Sequence, residues 1–241
     1  MTNQHPGTAL ITGGARRIGK EIAVSLAALG YTIALHCHRS AQDAEDVANQ
    51  IKNSKGRCEI FPADLEDTVE AQAVIPNVLK RFHRLDLLVN NASIFEKSSL
   101  ISSNPEVFDH HMAVNLRAPY ILMAEFARVC KNGHIINILD TNIMRHRITH
   151  AAYLISKKAL AELSAMAAVE FAPHIRVNAV APVLILPPEG ESEGYLAERA
   201  EAVPLRRQGT PGHVAHAVRF LIENDYLTGQ TIFVDGGEHL I

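Results

Sequence analysis

Hydrophobic positions along this chain alternate between short β-branched runs and longer segments whose apolar residues recur every three or four positions. Residues 8–12 are typical of a buried strand, and Ile18, Ile22 and Leu26 then lie on one helical face. Gly30 is the expected end of that helix. Further strands are predicted at 32–37, 58–62, 85–89, 134–139, 175–180 and 231–234, and further helices at about 41–53, 68–83, 114–129 and 151–171.

Strict alternation of strands and helices predicts a parallel sheet with helical crossovers on both faces. Right-handed crossovers then give a doubly wound α/β fold with a seven-stranded, mainly parallel sheet. No linker-like stretch divides the chain, so residues 1–241 are expected to form one domain. The Pro-, Gly- and Glu-rich stretch at 187–194 is expected to be a mobile surface loop.

Composition narrows the classes of function. The 241 residues carry a formal net charge of -3, which argues against nucleic acid as the main ligand. No apolar run approaches the roughly 20 residues that a membrane helix needs, and residues 1–7 lack the apolar segment of a signal peptide. Three widely spaced cysteines indicate neither a disulfide framework nor a zinc site. We therefore expect a cytoplasmic protein without a metal site and without a membrane partner.

The turn after the first strand carries glycines at informative places. It runs from Thr12 to Gly19 with the sequence TGGARRIG. Gly13 allows a tight turn, and Gly19 allows the helix to pack closely against the strand. The N–H groups at the start of that helix would then face an anion such as a pyrophosphate. This position favours a nucleotide site over an ordinary strand–helix turn.

The end of the second strand indicates which nucleotide is bound. Where an acidic residue would read a ribose 2′-hydroxyl, the chain has His38, Arg39 and Ser40. The Arg39 guanidinium can donate twice to a 2′-phosphate and Ser40 can add a third donor, which predicts NADPH rather than NADH. The alternative is that Arg39 is a solvated surface charge. Asp64 and Leu65, after the third strand, can meet an adenine edge, although Asp64 can equally cap the next helix.

A second set of polar residues follows the later strands. Because the carboxyl ends of parallel strands share one edge of the sheet, these residues are expected beside the cofactor. Tyr153 and Lys157 are four positions apart and so lie on one helical face. The other members of the set are Asn91, Ala92 and Ser93 after the fourth strand, Asn115 in the next long helix, and Asp140 at the end of the fifth strand.

In this order, the glycine turn, the NNA motif, the helix asparagine, the YxxxK motif and the C-terminal VDGG resemble the short-chain dehydrogenase/reductase family. The resemblance covers essentially the whole chain and implies a single Rossmann-fold domain that binds NADPH. It implies a cofactor site made of Gly13, Arg16, Arg17, Ile18, Gly19, His38, Arg39, Ser40, Asp64, Leu65, Asn91, Ala92, Ser93, Tyr153 and Lys157.

The same resemblance implies the catalytic roles. Tyr153 would give a proton to the substrate as hydride arrives, and Lys157 would hold the nicotinamide ribose. A nearby ammonium favours the phenolate, so Lys157 is expected to lower the pKa of Tyr153. Asn115 would hold a water that connects Lys157 to solvent. The family is usually tetrameric, so a homotetramer is expected.

Two departures from the family narrow the substrate. Arg17 stands where most members have a third glycine, and Asp140 stands where most have a catalytic serine. The pteridine reductase branch shares both, together with the HRS segment and Phe95 two residues after NNAS. In that branch Phe95 would stack on a flat pterin, Arg17 and Ser93 would bind the pterin or a phosphate, and Asp140 with Tyr153 would protonate a ring nitrogen. The plainer alternatives are a core aromatic for Phe95, a surface or phosphate-only arginine for Arg17, and a structural N-cap for Asp140.

These observations predict an NADPH-dependent reductase of a pterin C=N bond, acting on dihydromonapterin, dihydrobiopterin or dihydrofolate and inhibited by antifolates. One alternative is a carbonyl reductase of 3-oxoacyl thioesters, and another is a non-catalytic NADPH-binding regulatory protein. Residues 183–203 are expected to cover the substrate, with Leu186, Pro187 and Tyr195 as lining residues. Val183 replaces the usual glycine of the family, which places the conformation of that turn in question.

Overall fold

The computed structural model describes residues 7–101, 103–187 and 194–241. Within these ranges, seven strands form one sheet in the order β3-β2-β1-β4-β5-β6-β7, and every neighbouring pair is parallel. The strands are β1 Thr8–Ile11, β2 Thr32–Cys37, β3 Arg57–Pro62, β4 Leu87–Asn90, β5 Gly133–Ile138, β6 Ile175–Pro182 and β7 Thr231–Val234. The predicted doubly wound fold is confirmed, and the strand order reverses between β1 and β4.

Eight α-helices occur in the described part of the chain: α1 Arg17–Ala28, α2 Ala41–Asn53, α3 Thr68–Phe82, α4 Pro105–Met112, α5 Ala118–Val129, α6 Ala151–Glu170, α7 Gly194–Ala200 and α8 Pro211–Glu223. Three of them, α4, α7 and α8, were absent from the sequence prediction. Helix α7 lies inside the segment predicted to be a substrate loop. Helix α8 could have been found from Val214, Val218 and Leu221, whose spacing places them on one buried helical face.

The predicted helix at 114–129 is interrupted near its start. A π-helical turn, Ala113–Arg117, joins α4 to α5. Such turns are rare and often occur at functional sites, and no spacing rule identifies them in a sequence. The predicted strand at 85–89 is also shifted, since β4 begins at Leu87 and Asp86 lies just before it, where its carboxylate accepts hydrogen bonds from the Thr8 N–H and the Arg84 guanidinium.

The core consists of two layers, one on each face of the sheet. Along β1, Ala9 and Ile11 face the layer that α1, α2 and α8 cover. Leu10 faces the opposite layer, which α3, α5 and α6 cover. This alternation follows from the two-residue period of a strand, and burial on both faces explains why Ala9, Leu10 and Ile11 are all apolar. In the described ranges, no helix has the length and apolarity to cross a membrane.

Packing between α5 and β5 leaves no room for a side chain at Gly133. A Cβ atom there would lie 2.5 Å from the ring of Phe126, which is fully buried. We expect Gly133→Ala to lower the free energy of unfolding by about 1–3 kcal/mol through overpacking. Gly212→Ala is the matched control, since its Cβ would meet only the Thr210 hydroxyl at 3.5 Å, and it should stabilise by about 0.4–1 kcal/mol. Urea unfolding measures both changes, and equal effects would contradict this account.

Candidate active site

The edge where β1 and β4 end is held together by one hydroxyl group. The Thr12 hydroxyl oxygen accepts hydrogen bonds from the backbone N–H groups of Asn91, at 2.9 Å, and Ala92, at 3.0 Å. The Asn91 side-chain amide donates in return to the carbonyls of Thr12 and Gly13. The glycine turn and the segment after β4 therefore form one unit at the point where the strand order reverses.

Gly13 and Gly19 meet inside this unit. Gly13 has a φ of 60°, in the left-handed region, and a Cβ on Gly19 would lie 2.3 Å from the Gly13 carbonyl oxygen. The predicted reason for the two glycines is therefore confirmed at atomic level. Ile18, between them in sequence, is half-buried and packs on the core layer beneath α1.

His36 supports the glycine turn, and the sequence analysis gave it no role. Its Nδ1 accepts a hydrogen bond from the Gly13 N–H at 3.0 Å, while its Nε2 lies 3.1 Å from the carbonyl oxygen of Ala63. Only the neutral imidazole with its proton on Nε2 satisfies both contacts. Burial lowers the pKa of His36 to about 4, which keeps this form. The available signal was a polar residue inside an otherwise apolar strand.

Arg16 and Arg17, at the start of α1, point to different partners. Arg16 donates to the carboxylate of Asp43 at 2.6 Å. Arg17 donates to the carbonyl oxygen of Pro187 at 2.8 Å, so it contacts the segment predicted to cover the substrate. Arg17 has a φ of 53°, a conformation that costs a non-glycine residue about 1–2 kcal/mol. A glycine would be the unstrained choice, so the arginine is consistent with a functional requirement for its side chain.

The ends of β2 and β3 adjoin each other. His38 Nε2 lies 3.5 Å from a carboxylate oxygen of Asp64, and Arg39 is exposed beside them. Ser40 begins α2 without capping it through its side chain. Leu65 points into the core beneath α3.

The prediction that Asp64 caps α3 is wrong. Asp67 takes that place and accepts hydrogen bonds from the N–H groups of Val69 and Glu70. The Asp64 carboxylate instead accepts from the N–H of Glu66 within its own turn.

Asp140, Tyr153 and Lys157 come together at the end of β5. The Tyr153 hydroxyl donates to Asp140 Oδ2 at 2.9 Å. Lys157 Nζ donates to the carbonyl oxygen of Ile138 at 2.8 Å and lies 5.9 Å from the centre of the Tyr153 ring. Tyr153 and Lys157 are 7% and 2% exposed, so both polar groups work in a nearly dry environment.

The expected lowering of the tyrosine pKa is wrong for this arrangement. Burial, the charge of Asp140 and the hydrogen bond to Asp140 all raise the pKa of Tyr153 well above its usual value. Burial lowers the pKa of Lys157 to about 8, while the charge of Asp140 acts in the opposite direction. The carboxylate accepts directly from the phenol, whereas the ammonium is bonded to a backbone carbonyl. Asp140 therefore controls the phenol more strongly than Lys157 does.

Asn115 lies in the π-helical turn, and all its side-chain hydrogen bonds go to protein. Its amide N–H groups donate to the Ile94 carbonyl and the Ser156 hydroxyl, both at 3.1 Å. Its amide oxygen accepts from the Ile94 N–H and the Ser93 hydroxyl. No side-chain donor is left for a water, so the water between Asn115 and Lys157 stays a prediction. The observed role is to tie the segment after β4 to α6.

Phe95 stands beside the tyrosine and is 46% exposed, so it is not a core aromatic. Its ring meets Tyr153 edge-on, with 4.7 Å between ring centres. The imidazole of His150 stacks on Phe95 at 4.2 Å with an angle of 11° between the planes. Burial is the main cause that lowers the pKa of His150, which favours the neutral ring. The sequence analysis did not identify His150.

The segment predicted to cover the substrate is described only in part, because residues 188–193 lie outside the described ranges. Val183 donates its N–H to Val234, and the left-handed residue of this turn is Leu184, with a φ of 52°. Leu186 and Tyr195, two of the predicted lining residues, pack against apolar clusters.

Comparisons with known proteins identify oxidoreductases as relatives of this chain. A family profile described as enoyl-(acyl carrier protein) reductase matches residues 13–239. A 3-oxoacyl-[acyl-carrier-protein] reductase of Staphylococcus aureus is 32% identical over 241 residues, which cover 97% of this chain and 98% of that protein.

Solved structures add detail to the comparison. FolM alternative dihydrofolate reductase 1 from Brucella suis, solved in complex with NADP, is 35% identical with a TM-score of 0.94, over 99% of this chain and 97% of that one. A blue fluorescent protein from a metagenomic library, in complex with NADPH, is 29% identical with a TM-score of 0.89, over 97% of this chain and 99% of that one.

The His36 contact predicts a specific pH dependence. Because the folded-state pKa of about 4 lies below the unfolded value of about 6.5, the stabilisation is present above about pH 6.5 and is lost as the pH falls towards 4. His36→Asn keeps an acceptor for Gly13 but cannot titrate. Between about pH 7 and about pH 5, the free energy of unfolding of His36→Asn should therefore fall less than that of the wild type. The difference should be up to about 1.4 kcal/mol per pH unit.

Urea unfolding at the two pH values measures this difference. The exposed His146 provides the control substitution His146→Asn, which leaves the glycine turn intact. His134, which is also buried with a pKa lowered to about 3, contributes equally to the wild type and both variants. A wild-type pH slope in His36→Asn would overturn the assignment.

Proposed function

Because this chain belongs to the short-chain dehydrogenase/reductase family, we propose that it is an NADPH-dependent reductase that acts on a C=N bond of a dihydropterin ring. The observation that carries the proposal is the hydrogen bond from the Tyr153 hydroxyl to Asp140 beside the exposed ring of Phe95. The resemblance to FolM alternative dihydrofolate reductase over nearly the whole chain supports the same substrate class.

The residues at the sheet edge fit the nicotinamide cofactor. The space over Gly19 is closed by the Gly13 carbonyl and Asn91, so the turn presents backbone rather than side chains to a pyrophosphate. His38, Arg39 and Ser40 would hold the 2′-phosphate, with Asp64 and Leu65 near the adenine and Asn91, Ala92 and Ser93 further along the edge. When bound, NADPH supplies a hydride, and Lys157 is suited to hold its ribose.

Protonation of the substrate falls to Tyr153 and Asp140. A phenol with a raised pKa holds its proton firmly, and the adjacent carboxylate keeps the O–H oriented. As a ring nitrogen becomes basic during reduction, the phenol would turn its single O–H from Asp140 to that nitrogen and transfer the proton. The phenolate left behind would be stabilised by the nearby ammonium of Lys157. A serine in place of Asp140 would polarise a carbonyl, whereas a C=N bond needs a proton on nitrogen.

Phe95, Arg17 and Ser93 would recognise the pterin ring. His150 stacks on the Phe95 ring and Tyr153 meets it at a right angle, yet the side chain is 46% exposed, so a flat pterin would stack on the part of the ring that remains accessible. Arg17 already reaches the Pro187 carbonyl across the entrance, and its remaining donors suit the pterin carbonyl edge or a phosphate. Ser93 donates to Asn115, which leaves its oxygen free to accept from a pterin amino group. Antifolates with a pteridine ring would use the same slot.

A second candidate is reduction of a 3-oxoacyl thioester, favoured by the name and the 32% identity of the staphylococcal relative. The aspartate at position 140 argues against it. A non-catalytic NADPH-binding role is a third possibility, against which the paired Tyr153 and Lys157 argue. A cytoplasmic location remains a prediction from the sequence.

A homotetramer also remains a prediction. In its support, α4, α5 and α6 leave an open, largely apolar groove of about 910 Å³, lined in part by Met112, Leu116, Tyr120 and Met166.

Substitutions at the tyrosine–aspartate pair test the substrate class. We expect NADPH oxidation with a dihydropterin but little with acetoacetyl thioester. Asp140→Ser should lower kcat/KM for the dihydropterin about 10²–10⁴-fold, the usual contribution of a positioned acid, and should not lower thioester turnover. Tyr153→Phe should abolish turnover of either substrate. Asp225→Ser, at an exposed site between α8 and β7, is the control. If the wild type reduces the thioester and not the dihydropterin, the pterin proposal is wrong.

A substitution at the end of β2 tests the cofactor assignment. Arg39→Ala should weaken NADPH binding by about 10-fold or more, the loss expected for a charge-assisted hydrogen bond, and leave NADH binding nearly unchanged. Fluorescence titration of each cofactor measures both affinities. Arg57→Ala, at the opposite end of the sheet, controls for a general change in charge. Equal losses for the two cofactors would refute a role in binding the 2′-phosphate.

A further inference from the structure

A line of hydrogen bonds leads from Tyr153 through Asp140 to residues outside the proposed substrate and cofactor sites. Asp140 Oδ2 accepts from the Tyr153 hydroxyl. Asp140 Oδ1 accepts twice from Asn142, from its backbone N–H and from its side-chain amide, both at 2.7 Å. Two donors on one oxygen fix the plane of the carboxylate. The other oxygen is thereby directed at the phenol.

Asn142 is itself held by an arginine. The Arg147 guanidinium Nε donates to the Asn142 side-chain oxygen, and because arginine only donates, the amide nitrogen must face Asp140. The other end of the Arg147 guanidinium donates to Glu238 Oε1 at 2.7 Å. A guanidinium that spans two acceptors has little freedom to rotate.

Glu238 is the buried end of this line. It lies in a 3₁₀ turn near the C-terminus, is 5% exposed, and also pairs with Arg145 at 3.0 Å and with Arg199 of α7 at 3.8 Å. Asp235 holds the same segment by accepting from the Thr141 hydroxyl at 2.6 Å. The C-terminal segment therefore contacts the loop that follows Asp140 at two points, through Asp235 and through Glu238.

We propose that Asn142 and Arg147, anchored by Glu238, are positioning residues that hold Asp140 in the orientation in which it accepts from Tyr153. This inference rests on the proposed function in one respect: it assumes that Asp140 and Tyr153 carry out the protonation step. The physical basis is that hydrogen bonds in a chain polarise one another, so a donor to the Asn142 oxygen strengthens the bond from its amide to Asp140. A reacting group held by such supports keeps the geometry that the reaction needs.

Two arginine partners of Glu238 allow a matched comparison of variants, because only one of them also contacts Asn142. Arg147 contacts both Glu238 and Asn142, whereas Arg145 pairs with Glu238 and with the backbone of the C-terminal segment. Arg147→Met therefore breaks the line to Asp140 and an ion pair, while Arg145→Met breaks only the ion pair and the backbone contacts. Arg147→Lys retains the charge and should restore part of the activity.

The first measurement separates turnover from cofactor binding. Asn142→Ala and Arg147→Met should lower kcat about 10- to 100-fold, as a small misplacement of a reacting group does, with the Kd for NADPH unchanged. Arg145→Met should lower the thermal midpoint and leave kcat near the wild-type value. If Arg145→Met does not fold, Arg145→Lys replaces it, because lysine keeps a positive charge beside Glu238. Equal losses of kcat in the Arg147 variant and the control would reduce the line to a structural tie and overturn the proposal.

The second measurement requires no substrate. The chain has five tyrosines and no tryptophan, so phenolate absorbance is easily resolved, and Tyr153→Phe supplies the background. The charged or titratable groups around the phenol include Asp140, which is in direct contact, together with Lys157, His111 and, across the Phe95 ring, His150. If Asn142→Ala lets Asp140 turn away, Tyr153 should titrate at lower pH than in the wild type. An unchanged titration would overturn the proposal.

Failure of this proposal can be distinguished from failure of the pterin assignment. If the enzyme reduces a 3-oxoacyl thioester and not a dihydropterin, the kcat comparison is made with the thioester. If neither is reduced, the phenolate titration still tests whether Asn142 controls the contact between Asp140 and Tyr153.

Discussion

The active-site edge depends on the Thr12 hydroxyl, which joins the end of β1 to the backbone after β4. Strand order reverses at this point, so the two segments diverge into a crevice suited to a ligand. From the β4 side, Ser93 and the backbone of Ile94 bond to Asn115, and Asn115 bonds to Ser156 on α6. A continuous polar connection therefore runs from the glycine turn to α6, the helix that carries Tyr153.

The electrostatics of that tyrosine follow from which group its hydroxyl contacts. In a dry site, a carboxylate that accepts from the phenol opposes loss of the proton, and the charge of Asp140 does so directly. Lys157 is close to the ring, yet its ammonium is directed to the carbonyl of Ile138. Asp140 therefore favours the protonated form of Tyr153, while Lys157 lies beside the tyrosine ring.

Much of the architecture could be predicted because burial imposes a period on the sequence. β1 is apolar on both faces, and the spacing of Tyr153 and Lys157 requires one helical face, so both predictions agree with the structure. The helices α7 and α8 lie between β6 and β7, where the sequence analysis assigned no helix. Asp64 and Asp67 are both plausible caps three residues apart, and only the path of the chain into α3 determines which one caps it.

Within the candidate site, too, some residues could be located from the sequence and others could not. Local pattern and motif order located the glycine turn, the tyrosine, the lysine and the aspartate, because each must stand at a strand end or on one helical face. His36 and His150 were missed, since a single polar residue in a strand or before a helix has many possible roles. Their roles appear only once the Gly13 N–H and the Phe95 ring are placed beside them.

By itself, the sequence determined the parallel α/β architecture and the set of residues at its carboxyl edge, because hydrophobic period and strand–helix alternation are local properties. The tertiary structure alone decided that Asp140 accepts from Tyr153, and that Arg147 reaches Glu238 across 91 positions of sequence. Hydrogen bonds require a donor and an acceptor within about 3 Å and in line. Those distances and angles arise only when distant segments pack together.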